Sequence, residues 1–257
     1  MKIATWNVNS IRVRLPQVLE WLKKESPDVL CLQETKVTDE DFPVEDFRNA
    51  GYHAVFAGQK TYNGVATLSR VPADTVVASL PGVDDTHKRL LASTIAGVRV
   101  VNVYIPNGEA VGADKYAYKL SWLDALEKFL AGELQVYPRL AVLGDYNIAP
   151  EEIDVHDPKL WEGRVLFSDK ERAAFRRFVQ LGLVDVFRKF EQPEKSFSWW
   201  DYRMNGFKRN LGLRIDHILC STALLADCVA CQIDKEPRRH ERPSDHAPVM
   251  ARFESSV

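Results

Sequence analysis

Two runs limit what this chain can become more than any other feature: Val98-Arg99-Val100-Val101-Asn102-Val103-Tyr104 and Leu140-Ala141-Val142-Leu143. Both have the length of strands, are rich in β-branched or aliphatic residues, and carry too little polarity to leave one face in water. Strands of that kind are covered on both sides. Further strand-like runs lie at Lys2 to Asn7, Val29 to Gln33, Val65 to Ser69, Leu91 to Ile95, Arg214 to Leu219 and Pro248 to Phe253, so the pattern spans the chain. Amphipathic segments are available as cover: Leu15 to Lys24, Tyr116 to Leu130, and Asp169 to Leu181, the last opened by the capping-box pair Ser168 and Glu171. No linker, repeat or low-complexity tract divides the sequence, so residues 1–257 are expected to form a single α/β domain with two sheets packed face to face.

Hydrophobic residues at 46% and charged residues at 27% exclude disorder and a disulfide-rich scaffold. The N-terminus enters a strand-like run without an export signal, and no apolar run approaches the roughly 20 residues needed to cross a bilayer. A cytoplasmic protein with no membrane partner is expected, with a monomer as default. Cys228 and Cys231 form a lone C-x-x-C without further metal ligands nearby. Within a strand-like run from Cys228 to Asp234, residues three apart face opposite sides, which reads as ordinary half-buried thiols rather than a zinc site. The formal net charge of −2 means that any contact with nucleic acid must be local. Basic clusters occur at Lys88-Arg89, at Arg203 with Lys208-Arg209, and at Arg238-Arg239-His240 with Arg242.

The apparent strand ends are where chemistry collects. Val29 to Gln33 runs into Glu34, an acid suited to hold Mg²⁺, which needs only one or two carboxylates beside water and a phosphate oxygen. Leu140 to Leu143 breaks at Gly144 and presents Asp145 and Asn147, one able to accept a proton from water and the other to donate to a phosphate oxygen. Arg242-Pro243-Ser244-Asp245-His246-Ala247-Pro248 makes a rigid corner bearing an acid and an imidazole. Asp216-His217 ends a further run. A serine hydrolase elbow and a phosphate-binding P-loop are both missing.

These motifs resemble the exonuclease III family of DNA-repair nucleases, within the endonuclease/exonuclease/phosphatase superfamily that has the DNase-I-like fold. The resemblance covers nearly the whole chain. It runs through Thr5-Trp6-Asn7-Val8-Asn9, Leu32-Gln33-Glu34-Thr35-Lys36, Tyr62-Asn63-Gly64-Val65-Ala66, Asn102 to Gly108, Gly144 to Ala149, Gly212 to Asp216 and Ser244 to Pro248. It implies a four-layered α/β sandwich of two mixed β-sheets flanked by helices, and Mg²⁺ as cofactor, with Mn²⁺ as a substitute. Glu34 would be the main metal ligand, with Asn7, Asp145, Asn147, Asp245 and His246 in the candidate ligand set and Asn9 close by. Asp145 would orient or deprotonate the attacking water, Asn147 would hold the scissile phosphate, Tyr104 and His246 would contact phosphoryl oxygens, and Asp216 and Asp245 would support His246 or the metal. Tyr146 and Asn107 are small departures from the family pattern.

DNA contacts implied by the same resemblance are Asn9, Arg12, Lys36, Tyr62, Asn63, Asn107, Trp199, Trp200, Arg203 and Leu213. The aromatic positions, with Leu213, would line a pocket for a flipped-out abasic sugar, and Arg203 would brace the duplex. The expected activity is hydrolysis 5′ to abasic sites in double-stranded DNA, with 3′-to-5′ exonuclease and 3′-phosphatase or phosphodiesterase action on blocked 3′ ends. Two rivals share the fold: an inositol or lipid phosphate phosphatase, disfavoured by Trp199 to Arg203, and an inactive DNA-binding module, disfavoured because every catalytic position holds a competent residue.

Overall fold

Side chains alternate along a strand, so a strand apolar at every position must meet two different cores. The computed structural model describes residues 1–83 and 86–254. In chain order the elements are β1 (Lys2–Asn7), α1 (Ile11–Glu25), β2 (Val29–Gln33), α2 (Val44–Asn49), β3 (His53–Ala57), β4 (Val65–Ser69), β5 (Asp74–Val77), β6 (Leu90–Ile95), β7 (Val98–Tyr104), α3 (Asp114–Val136), β8 (Leu140–Asp145), α4 (Pro158–Trp161), α5 (Asp169–Gln180), β9 (Leu183–Asp185), β10 (Trp199–Trp200), β11 (Gly212–Leu213), β12 (Asp216–Ser221), α6 (Thr222–Leu225), β13 (Cys228–Ile233) and β14 (Val249–Phe253). One sheet has the order β13-β14-β1-β2-β4-β3 and the other β5-β6-β7-β8-β12-β9. Each is mixed, since β1 and β2, like β7 and β8, run parallel while their other neighbours run antiparallel.

Three apolar layers follow from the alternation. Ile3, Val29 and Cys31 of the first sheet meet Val100, Ala141, Leu143 and Ile218 of the second in a layer between the sheets. The intervening residues Ala4, Trp6, Leu30 and Leu32 face outward against Val18, Trp21 and Leu22 of α1 and Phe47 of α2. On the far side Val101, Val103, Leu140 and Val142 pack against Trp122, Leu123, Leu126 and Leu130 of α3 and Phe175 and Phe178 of α5. Helix, sheet, sheet, helix is therefore the order of layers, as the resemblance implied.

Toward one edge the inner layer turns polar without becoming wet. Gln33 Nε2 donates to Thr5 Oγ1 at 2.9 Å and to Asn102 Oδ1 at 2.8 Å, and Asn102 Nδ2 donates to the Ala66 carbonyl at 2.9 Å. All three side chains are fully buried, so this network joins the two sheets by directional bonds where aliphatic packing stops.

Several boundaries differ from the sequence expectation. Helix α1 begins at Ile11 and carries Pro16 inside it, so the proline does not delay its start; α3 extends to Val136; and β12 begins at Asp216, because Arg214 and Ile215 lie before the regular pairing. The capping box at α5 is present, with Ser168 and Glu171 bonding each other's backbone N–H. The C-x-x-C reading is corrected. Cys228 and Cys231 both point inward and are buried, because a register shift against β14 between Cys228 and Ala230 reverses the alternation. All four cysteines are buried free thiols. Among the described residues no helix is long and apolar enough to cross a membrane.

Gly144 is the tightest point in the second sheet. A Cβ there would sit 1.8 Å from the Val103 carbonyl oxygen, so β7 and β8 reach their register only with glycine at this position. Gly144→Ala is expected to cost about 2–4 kcal/mol, read as a lower urea midpoint at unchanged slope; an unaltered midpoint would show that the strands separate freely here.

Candidate active site

The face that builds the inner core ends, strand by strand, in the residues of the site. On β1 the series Ile3, Thr5 ends at Asn7, on β7 Val98, Val100, Asn102 ends at Tyr104, on β8 Ala141, Leu143 ends at Asp145, and β12 begins at Asp216 before Ile218 and Cys220. Register completes the grouping, since Tyr104 pairs Asp145 and Asp145 pairs Asp216 across adjacent strands, while Asn7 pairs Gln33 just before Glu34. Side chains far apart in sequence are delivered to one edge by alternation and strand register together.

Asn7 links the two principal acids. Its Nδ2 donates 2.8 Å to Glu34 Oε1 and 2.8 Å to Asp145 Oδ2, and Lys36 Nζ reaches Glu34 Oε2 at 2.9 Å. Glu34, Lys36, Asn9 and Asn147 all have positive φ, so each loop turns sharply where the strand stops. Burial raises Asp145 to about 7; His246 and the Asn7 hydrogen bond oppose the shift, and the neighbouring Asp216 and Glu34 add to it. Its Oδ1 accepts the Asn147 N–H at 2.9 Å.

His246 is held by Asp216, whose Oδ2 lies 2.9 Å from Nδ1, while Nε2 faces Asp145 Oδ2 at 3.7 Å. Burial disfavours the charged imidazole, yet Asp216, Asp145 and Asp245 together outweigh it and raise His246 to about 10. It is therefore an imidazolium at neutral pH, a donor on both nitrogens. Ser198, which the sequence did not single out, donates to Asp216 Oδ2 at 2.6 Å and accepts the N–H groups of Ile215 and Asp216. Ser244 Oγ donates to the Asn7 carbonyl at 2.6 Å, tying the Asp245-His246 corner to the end of β1.

Glu34, Asp145 and His246 offer ligand atoms within 4.8 Å of one another, the one such group found among the described residues. The two carboxylates fit a hard divalent cation. Around Asp145 the acids Glu34, Asp216 and Asp245 are set against His246 and Lys36, with Lys36 Nζ 2.9 Å from Glu34 and His246 Nδ1 2.9 Å from Asp216. Asp245 stands outside the group, its carboxylate accepting Asn9 Nδ2 at 3.1 Å and Trp199 Nε1 at 2.9 Å. Asn147 directs its amide to the Ile105 carbonyl at 2.9 Å and accepts Asn107 Nδ2 at 3.2 Å. Tyr104 keeps its phenol protonated, since burial and the adjacent Glu34 push it well above the ordinary value.

A groove beside these groups is lined by Lys36, Tyr62, Asn63, Arg89, Tyr104 and Asn107, which joins four of the expected DNA contacts to the acidic cluster. Other expectations change. Trp200 is fully buried against Phe197 and Ala247 and donates to Asn210 Oδ1, so it is core and has no surface to offer DNA. Leu213 is likewise fully buried, packed behind the half-exposed Trp199 with which it pairs. Arg203 is exposed but clamped by Asp201 at 2.7 Å, and Arg12 pairs with Asp41 on the outer surface of α1. Arg238, read as part of a basic cluster, is buried among Trp200, Tyr202 and Phe207 and donates to the Ser244 carbonyl. Its guanidinium braces the corner rather than facing solvent.

The model of the endonuclease/exonuclease/phosphatase family matches residues 4–246. Exodeoxyribonuclease III of Haemophilus influenzae is 37% identical over 98% of this chain and 100% of its own length. Among solved structures, the 3′ phosphatase NExo from Neisseria bound to a product DNA hairpin superposes with a TM-score of 0.98 at 46% identity, covering 99% of this chain and all of its own. An AP endonuclease from Archaeoglobus fulgidus gives a TM-score of 0.96 at 43% identity over 99% and 100% of the two chains. The chain belongs to the exonuclease III family of the endonuclease/exonuclease/phosphatase superfamily.

Proposed function

We propose that the protein is a Mg²⁺-dependent DNA-repair nuclease that hydrolyses the phosphodiester 5′ to abasic sites and removes nucleotides or phosphate from 3′ ends of duplex DNA. The observation that carries this reading is the convergence of Glu34, Asp145 and His246 at one strand edge, with ligand atoms within 4.8 Å of one another, Asp145 held by Asn7 at 2.8 Å and His246 held by Asp216 at 2.9 Å. Relatives named exodeoxyribonuclease III, AP endonuclease and 3′ phosphatase support the substrate class.

The roles divide among the residues, with Asp145 serving in two of them. Asp145, ionised for much of the time at neutral pH, accepts the proton of the attacking water. His246 presents Nε2–H to a phosphoryl oxygen and, fixed by Asp216, does not reorganise as charge develops there. Tyr104 donates its retained phenolic proton to another phosphoryl oxygen, and Asn147 adds a neutral donor. Glu34 and Asp145 would hold the divalent cation, with Asn7 between them; when bound it offsets phosphate charge and polarises the phosphorus–oxygen bonds. Trp199, half exposed and anchored by Asp245, provides an apolar wall that accepts a sugar lacking its base.

A duplex with one abasic-site analogue should be cut in Mg²⁺ and spared in EDTA; intact DNA under both conditions would sink the reading. Asp145→Asn should lower kcat by about 10² or more with DNA binding retained, as expected for a group that acts in the transition state. In the metal-free protein the Asp145 carboxyl should titrate near 7 by carbon NMR and shift to lower pH on adding Mg²⁺, because a cation favours the carboxylate. In the metal-free protein the His246 imidazolium should lose its proton near 10 by NMR; Asp216→Asn removes the largest partner charge and should move this step toward neutrality. An unmoved titration would detach His246 from Asp216.

A further inference from the structure

Lys119 is the one lysine classed as fully buried among the described residues, and burying an ammonium is costly unless all of its hydrogens are bonded. Here they are. Nζ lies 2.7 Å from the Asn147 carbonyl and 3.1 Å from the Asn107 carbonyl, and its third partner is Glu171 Oε1, also fully buried. Glu171 is the capping-box acid of α5, and its two oxygens also accept the N–H groups of Leu166 and Ser168 and the Ser168 hydroxyl. The 107–108 turn lies on the lysine itself, since a Cβ on Gly108 would come 3.1 Å from Lys119 Cδ. Stability alone does not account for such a pair, because apolar residues of similar volume commonly replace buried ion pairs at no loss.

We propose that Lys119, anchored by Glu171, is a positioning residue that sets the backbone of Asn107 and Asn147 and thereby fixes their hydrogen-bonded carboxamides beside Asp145 at the edge of the site. The two side chains concerned are bonded to each other, Asn107 Nδ2 to Asn147 Oδ1, and Asn147 follows Asp145 by two residues. One cation thus fixes two loops, after β7 and after β8, from beneath the site. Lys119 touches no substrate. This inference rests on the assignment of Asn147 as a phosphate donor.

Lys119→Met alone leaves Glu171 as an unpaired buried charge and is expected to unfold readily. The informative protein is Lys119→Met/Glu171→Gln, in which both charges go and the amide can still cap α5. It is expected to melt within a few degrees of wild type, to show kcat lowered about tenfold or more with KM changed less than about threefold, and in a crystal structure to show the Asn147 carboxamide displaced. Lys119→Arg, which restores a donor, should recover part of kcat. A well-folded double variant with wild-type kcat, or one whose Asn147 and Asn107 side chains have not moved, overturns the proposal whatever the substrate. Should wild type cut neither an abasic duplex nor a 3′-phosphate end, the functional reading fails on that control, and the crystallographic comparison still decides the role of Lys119.

Discussion

The two-residue period of the strands is the constraint on which the rest of the molecule depends. A sheet with apolar groups on both faces is stable only between two other layers, which forces the stacking of helix, sheet, sheet and helix. The inner layer is the consequential one. Its residues belong to both sheets, and where β1, β7, β8 and β12 reach the same edge their inner positions become Asn7, Tyr104, Asp145 and Asp216. A one-residue slip in any of these strands would turn its site residue toward a helix. The Thr5, Gln33 and Asn102 network, made of directional bonds between the sheets, guards against such a slip next to the chemistry.

Delivering acids into a nearly dry edge sets the electrostatics. Burial raises Asp145 to about 7, with Asp216 and Glu34 adding to the shift, while Asp216, Asp145 and Asp245 outweigh burial at His246 and raise it to about 10. Burial thus makes a base of the one, and the surrounding carboxylates keep the other charged at neutral pH. Both effects favour an added divalent cation and an anionic phosphate: the first needs positive charge near Asp145, and the second offers it to an oxygen. A fully solvated cluster would lose this contrast, since water would screen both shifts.

What was legible in the sequence is what short-range periodicity and motif carry. The β7 and β8 runs, the polar strand ends and the α5 capping box depend on alternation or on contiguous residues, while the grouping of Glu34, Asp145, Asp216 and His246 was implied only by the family resemblance. Features set by tertiary context were not. The bulge that turns Cys228 and Cys231 to one side has no local mark. Tandem tryptophans read the same whether one or both are exposed, and only the antiparallel bridge between Trp199 and His246 decides that Trp200 goes inward. Arg238 looked like surface charge because its three aromatic neighbours lie elsewhere in the chain. Lys119 did leave a trace: it occupies the inward stripe of α3 with Tyr116, Leu123, Leu126 and Leu130, where an apolar residue would be expected.

The remaining consequence concerns strain. Asn9, Glu34, Lys36, Asn63 and Asn147 combine left-handed backbone with side chains at the site or its groove, and such non-glycine conformations cost on the order of 1 kcal/mol each. They persist because tertiary bonds hold them: Ser10 N–H to the Glu34 carbonyl at 2.8 Å, Lys36 N–H to the Asn63 carbonyl at 2.9 Å, and Lys119 to the Asn147 carbonyl at 2.7 Å. A left-handed residue one or two positions after a strand turns the chain back, so Glu34, next after β2, and Asn147, two after β8, stay close to the strand edge. The short turns keep Glu34 and Asn147 within a few ångströms of Asp145, as an active site requires, while the strands beneath remain regular. The strain is thus confined to the loops, and the rigid core supplies the bonds that offset it.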